Sequence, residues 1–176
     1  MNENEQAFAN GYSTGFVAGK RAEVMSMAEK LAIECIRKPS VINIVVDDGA
    51  CIPTRAHKND AGLDLYAMKG GWIPPKCHKV FATGIHAEIP EGWVGMLTSK
   101  SGLMLKGITS RGTIDCGFTG DIKAVLYNHS WLPRKIKKGQ KITQLVLMPI
   151  ATPTPRFVKS LEKTDRSDGG FGSTGL

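Results

Sequence analysis

From residue 41 onward, the apolar positions fall into short runs at 41–46, 63–67, 79–89, 95–98, 122–127 and 142–149. Turn-forming residues punctuate them: Asp48-Gly49, Pro74-Pro75, Pro90-Glu91-Gly92 and Lys138-Gly139. Many short β-type runs with turn signals at this spacing predict an all-β fold, an antiparallel sandwich or barrel. No strand–helix–strand rhythm appears, and no Gly-x-Gly-x-x-Gly follows a strand. A Rossmann fold and a Walker phosphate loop are therefore unsupported. The chain shows no internal repeat.

The first 40 residues read differently. Val24, Met27, Ala28, Leu31 and Cys35 fall on one face of a helix, and Pro39 lies just beyond its expected end. This predicts an added N-terminal amphipathic helix that docks on the domain or on a partner chain. The last residues form a glycine-rich arm, Arg166-Ser167-Asp168-Gly169-Gly170-Phe171-Gly172-Ser173-Thr174-Gly175-Leu176. Ordering glycine costs the most backbone entropy, so such an arm does not fold alone. Three segments result: a helical extension 1–40, a β domain 41–165 and an arm 166–176.

Composition narrows the options. With 176 residues, 41% of them hydrophobic, the chain can bury a real core. No stretch reaches the roughly 18–20 apolar residues that span a bilayer. The opening residues lack a secretory pattern, so a cytoplasmic protein without membrane contact is expected. Four scattered cysteines without a Cys-x-x-Cys pair read as reduced structural thiols. The net charge of +7 favours a polyanionic partner. Arg134-Lys135-Ile136-Lys137-Lys138 is the densest basic run. No aromatic residues interleave with it along the sequence, so it reads as a solvated turn between strands, and nucleic acid is not an expected partner.

Five polar segments interrupt the strands. In Asp60-Ala61-Gly62-Leu63-Asp64-Leu65, Asp64 sits among apolar residues, either as a buried hydrogen-bonding anchor or as part of a metal site. Ser99-Lys100-Ser101-Gly102-Leu103 combines a cation, hydroxyls and backbone N–H groups, the parts of a phosphate nest. Gly112-Thr113-Ile114-Asp115-Cys116-Gly117-Phe118-Thr119-Gly120-Asp121 reads as a glycine-lined hairpin. There Asp115 is either a general base or an ordinary turn residue, and Phe118 either a sugar-packing ring or a core residue. Gln144 stands in an apolar strand, where a buried amide needs a partner. In the arm, Arg166 suits phosphate oxygens and Phe171 suits a base.

The order of these segments closely resembles the five motifs of the trimeric dUTP diphosphatases, the dUTPases. The resemblance covers about residues 41–176. It implies a jelly-roll, β-barrel-like subunit in a homotrimer with shared active sites. It also implies hydrolysis of dUTP to dUMP and pyrophosphate with Mg²⁺, which limits uracil in DNA and supplies dUMP for dTTP synthesis. By the same resemblance, Asp115, Gln144 and Arg166 are catalytic, with Asp115 orienting the attacking water. Lys100, Ser101 and Gly102 hold phosphate oxygens, Thr113 and Ile114 present backbone groups, and Phe118 packs on the deoxyribose. Thr109 and Lys123 flank the nucleoside. Phe171 covers the uracil, while Gly172, Ser173 and Thr174 contact phosphates. The metal is held mainly by substrate phosphates, with Asp64 supporting it indirectly through water.

Three residues depart from the family pattern: Lys100 stands for arginine, Phe118 for tyrosine and Ser167 for glycine. The first keeps charge but loses a bidentate fork. A dCTP deaminase of the same fold is the nearest alternative, but it needs a glutamate where Val125 stands. A nucleotide-gated protein that binds a regulatory partner is an alternative of another class.

Overall fold

The computed structural model describes Pro39 and residues 41–164. The expected N-terminal helix and the whole arm lie outside the described residues.

Among the described residues, ten strands and one short helix follow in chain order: β1 (Ile44–Val46), β2 (Gly62–Tyr66), β3 (Gly71–Ile73), β4 (His78–Ala82), β5 (Ile85–Ala87), β6 (Trp93–Ser99), α1 (Ser101–Met104), β7 (Ile108–Ile114), β8 (Lys123–Asn128), β9 (Arg134–Ile136) and β10 (Lys141–Pro149). Every named pairing is antiparallel. A curled six-stranded sheet runs β2-β10-β6-β7-β8-β4, and two-stranded sheets β1-β5 and β3-β9 accompany it. The run spacing predicts this all-β antiparallel architecture, and its jelly-roll form is the one the family resemblance implies. The run at 79–89 divides into β4 and β5, because Gly84 adopts φ +66 and breaks the extended backbone. The basic run is not simply a turn: its first three residues form β9 against β3.

Two buried clusters make the core. One gathers Ala67, Ile73, Phe81, Leu103, Ile108, Ala124, Leu126, Ile136 and Ile142. The other gathers Leu65, Ile85, Ala87, Ile89, Leu97, Ile114, Ile122 and Leu145. The long strands cross both, since β7 sends Ile108 into the first and Ile114 into the second. Each fully buried Leu or Ile contributes about 1.5–3 kcal/mol of transfer free energy, so the strands are held chiefly by these faces.

Between the clusters, Ser110 Oγ donates to Thr143 Oγ1 (3.1 Å), which donates to the Thr98 carbonyl (3.0 Å). Strand β10 is irregular here. Lys141 pairs with Tyr66 and Thr143 with Leu65, so β10 carries an extra residue between them.

Candidate active site

That bulge organises one polar face. Alternation would place Lys141 and Gln144, three residues apart, on opposite sides of a regular strand. The extra residue returns both to the side occupied by their partners Tyr66 and Asp64. Gln144 also pairs with Thr98 of β6. Its side chain lies over Gly62, where an added Cβ would meet Gln144 Cβ at 3.0 Å and Oε1 at 3.1 Å. A side chain at position 62 would crowd Gln144 on this face.

At its centre is Asp64, a buried carboxylate. Lys100 Nζ lies 2.5 Å from Oδ1, and Lys141 Nζ lies 2.8 Å from Oδ2. Burial pushes the carboxyl up. Hydrogen bonds from Lys100 and Lys141, aided by their charges, outweigh it and hold Asp64 below its ordinary value. The Lys141 ammonium is raised in turn, chiefly by its hydrogen bond to Asp64. The backbone is also pinned, because Asp64 N donates to Thr54 O at 2.7 Å. Lys100 immediately precedes α1, whose Ser101 and Gly102 are exposed at the sheet rim. Of three ammonium N–H groups, Lys100 commits one to Asp64 and keeps others for an anion.

The second polar group is the hairpin after β7. Asp115, Cys116, Gly117, Phe118 and Thr119 are exposed. The turn is closed by Phe118 N donating to Asp115 O at 3.2 Å. Phe118 is 45% exposed, and its ring lies over Gly120, where a Cβ would stand 2.8 Å from Cζ. The returning limb is tied to the segment around β5. His86 Nδ1 pairs with Thr119 O (2.8 Å), Gly84 N donates to Asp121 Oδ1 (3.0 Å), and Thr83 Oγ1 donates to Ile122 O (2.6 Å). His86 Nε2 lies 3.3 Å from Asp47 Oδ1. The hydrogen bond to Thr119 is the leading reason why the His86 pKa is raised, and Asp47 adds to it.

The predicted residues thus separate into two groups. Asp64, Lys100, Ser101, Gly102 and Gln144 lie at one end of the β6–β7 ladder. Thr113, Ile114, Asp115, Phe118 and Lys123 lie at the other. Ile114 is buried in the core, which leaves its backbone rather than its side chain for contact. The register Gly95↔Ile114 and Thr98↔Arg111 puts Lys100 and Asp115 about six residue positions apart, roughly 20 Å at ~3.3 Å per residue. Thr109 stands at the Lys100 end, with Oγ1 2.7 Å from His129 Nε2, and not beside Asp115. Arg166, Phe171, Gly172, Ser173 and Thr174 lie outside the described residues. Sequence reasoning missed Lys141, Tyr66 and His86 as members or supports of these groups. Only the bulge and the cross-strand pairing reveal them.

A jelly-roll sheet with a cation-flanked carboxylate at one rim and an acidic, aromatic hairpin at the other defines a protein built to meet a polyanion at the edges of a β scaffold. Comparison with known proteins names the family. The dUTPase family model matches residues 48–175. The deoxyuridine 5'-triphosphate nucleotidohydrolase of Clostridium tetani is 41% identical over 135 residues, 74% of this chain and 93% of that protein. Its counterpart in Clostridium kluyveri is 42% identical over 134 residues, 74% of this chain and 94% of that protein. The dUTPase of Staphylococcus bacteriophage 80alpha, solved with dUpNHpp, superposes with a TM-score of 0.72 at 29% identity. That match covers 78% of this chain and 99% of the phage chain. A mutant dUTPase from phage phi11 of S. aureus, described with a structural Mg(II) ion, gives 0.65 at 27% identity over 70% of this chain and 100% of its own. The chain belongs to the dUTPase family.

Proposed function

We propose that this chain is a working dUTP diphosphatase, hydrolysing dUTP to dUMP and pyrophosphate in a site assembled between subunits of a homotrimer. The activity rests on its family; the assembly rests on one observation. Lys100 and Asp115 stand about six residue positions apart on the ladder, roughly 20 Å. A base acting on a water at one phosphorus and a cation neutralising the same phosphate chain must come closer than that. The Asp115 hairpin of one subunit therefore works with the Asp64–Lys100–Gln144 face of another, and the 166–176 arm closes the pocket.

In this arrangement Asp115 accepts a proton from the water that attacks the α-phosphorus. The bond from that phosphorus to the bridging oxygen breaks, and pyrophosphate leaves with the electron pair. Lys100 and Arg166 meet the charge that accumulates on it. Gln144 orients phosphate oxygens or the water. Phe118 packs on the deoxyribose and leaves no space for a 2′-hydroxyl.

The residues present fit a substrate-held metal. Both Asp64 oxygens already accept from ammonium groups, so Asp64 suits an indirect role rather than direct ligation. When bound to the phosphates, Mg²⁺ supplies charge neutralisation for the leaving group. Among the described residues no helix is long and apolar enough to cross a membrane, and we place the enzyme in the cytoplasm.

Val125 is half-buried in β8 opposite Val80, and it offers no proton shuttle for deamination. The test is a panel of dUTP, dCTP, dTTP and UTP assayed with Mg²⁺ for both pyrophosphate and ammonia. Pyrophosphate from dUTP alone is expected; ammonia from dCTP would overturn the activity. Mixing inactive Asp115→Asn and Gln144→Ala subunits should restore part of the turnover. No restoration in re-formed mixed oligomers would overturn the shared site.

A further inference from the structure

We propose that the outer face of the β3–β9 sheet, with the loop before β9, binds single-stranded nucleic acid at a place separate from the nucleotide site. Along the sequence, no aromatic residue interleaves with the basic run at 134–138, and Trp131 stands three positions before it. The fold adds a second indole. Trp72 of β3 is the cross-strand partner of Lys135, and its indole is 56% exposed with Lys135 Nζ 5.7 Å from the ring centroid. Trp131 is 80% exposed, with Lys76 Nζ 4.2 Å from its ring. Beside Trp72 opens a cavity of about 750 Å³, lined by Lys106, Arg134, Lys135, Lys137 and Lys138 among others, with no acidic side chain among the described residues of its wall.

The indoles are displayed by dedicated contacts. Asn128 is buried, and its Nδ2 donates to Ile73 O (3.2 Å), Pro74 O (3.0 Å) and Leu132 O (2.8 Å), which fastens the Trp131 loop to the end of β3. Arg134 Nε donates to Ser130 Oγ at 3.1 Å. Lys76 holds φ +56, a left-handed conformation unusual for a side-chain-bearing residue. Its N–H donates to Ser130 O (3.2 Å), and its ammonium donates to His129 O (2.7 Å) beneath the Trp131 ring. That conformation costs free energy, and the contacts made by Lys76 fix the cation against the indole.

Two exposed indoles surrounded by cations fit one chemistry best. Unpaired bases stack on an aromatic face while lysines follow the phosphates, whatever the base sequence. Each indole is approached by one cation and is still more than half exposed. A duplex keeps its base faces covered by their neighbours, so it offers the indoles nothing to stack on. An acidic peptide would satisfy the lysines but leave two tryptophans in water.

The test uses the full-length protein and a fluorescein-labelled 20-nucleotide oligothymidylate, followed by anisotropy across a salt series. Binding should weaken linearly in log–log form, with a slope near −0.7 per phosphate neutralised. Trp72→Ala and Trp131→Ala should each weaken binding about 5- to 150-fold, the range for one stacked base. Lys135→Gln should lower the slope by about 0.7. Hydrolysis of dUTP should be unchanged in all three variants, and excess dUpNHpp should not displace the oligonucleotide. Four binding results would each overturn the proposal: no binding at about 50 mM salt, equal affinity for a duplex of the same length, displacement by dUpNHpp, or tryptophan variants that bind as the parent does. Light scattering completes the test. If Trp72→Ala or Trp131→Ala dissociates the oligomer, the indoles belong to a contact between copies of the chain, and the proposal fails.

Discussion

Lys100 and Asp64, 36 residues apart in sequence, form an ion pair of 2.5 Å at the rim of the sheet, with Lys141 on the carboxylate's other oxygen at 2.8 Å. The pair ties the start of α1 to β2. Because the folded-state pKa of Asp64 is lowered, its stabilisation is present above the unfolded value, ~3.9, and is lost as pH falls through the folded value. Asp64→Asn should cost about 1–3 kcal/mol at neutral pH. It should also flatten the fall in Tm below about pH 4. Equal Tm slopes for parent and variant across acid pH would show that the pair adds nothing.

Asp115 is exposed in a turn and stands far from Lys100 of the same chain. In the proposed role of base for the attacking water, its contribution is roughly 10²–10⁴ in rate. Asp115→Asn should lower kcat by that factor and leave dUTP binding, measured by calorimetry, within about threefold of the parent. Retained turnover would return Asp115 to an ordinary turn residue.

His86 holds the hairpin through Thr119 O and faces Asp47, with Asp121 adding a weaker attraction. A raised pKa means that the grip is complete below the ordinary histidine value, ~6.5, and fades as pH rises through the folded value. The KM for dUTP should therefore climb over that interval while kcat changes little. His86→Gln keeps a donor at all pH values and should remove the step. A step that survives the substitution would assign it to another group.

Gly120 leaves room for the Phe118 ring, and a Cβ there would stand 2.8 Å from Cζ. Gly120→Ala should tilt the ring off the sugar. An offset ring of this kind is worth about 0.5–1.5 kcal/mol, so KM should rise about 2- to 10-fold. Discrimination against UTP should fall as well. Thermal stability should barely move, because the hairpin is exposed. A rise in KM without loss of UTP discrimination would show that Phe118 does not guard the 2′ position.

Removing residues 166–176 deletes Arg166 and Phe171 and leaves in place every core residue found among the described residues. The truncated protein should keep its Tm and oligomeric state and lose turnover by at least about 10²-fold, the usual cost of one well-placed charge-stabilising group. An active truncated enzyme would exclude the arm from the site.

The β nature of the domain was legible because apolar runs and turn residues are local signals. Asp64 also stood out, since a carboxylate inside an apolar strand needs partners. Those partners were harder to find. Lys100 was noted for phosphate, and nothing local shows that its ammonium also serves Asp64. Strands β3 and β9 were missed because three residues carry too little periodicity, and β9 was hidden within a basic run. His86 reads as one more polar residue in a strand, and its hold on Thr119 spans 33 positions.

The sequence by itself determined the family, the jelly-roll class and the motif residues, because each is written in short, ordered segments. Tertiary structure decided what those residues stand beside. A bulge of one residue in β10 turned Lys141 and Gln144 to the same face. The β6–β7 register set Asp115 far from Lys100 within the chain. The β3–β9 pairing placed Trp72, 63 positions away in sequence, beside Lys135 of the basic run. Each depends on strand pairing between distant segments, and register is set by the burial of a whole face rather than by any local signal.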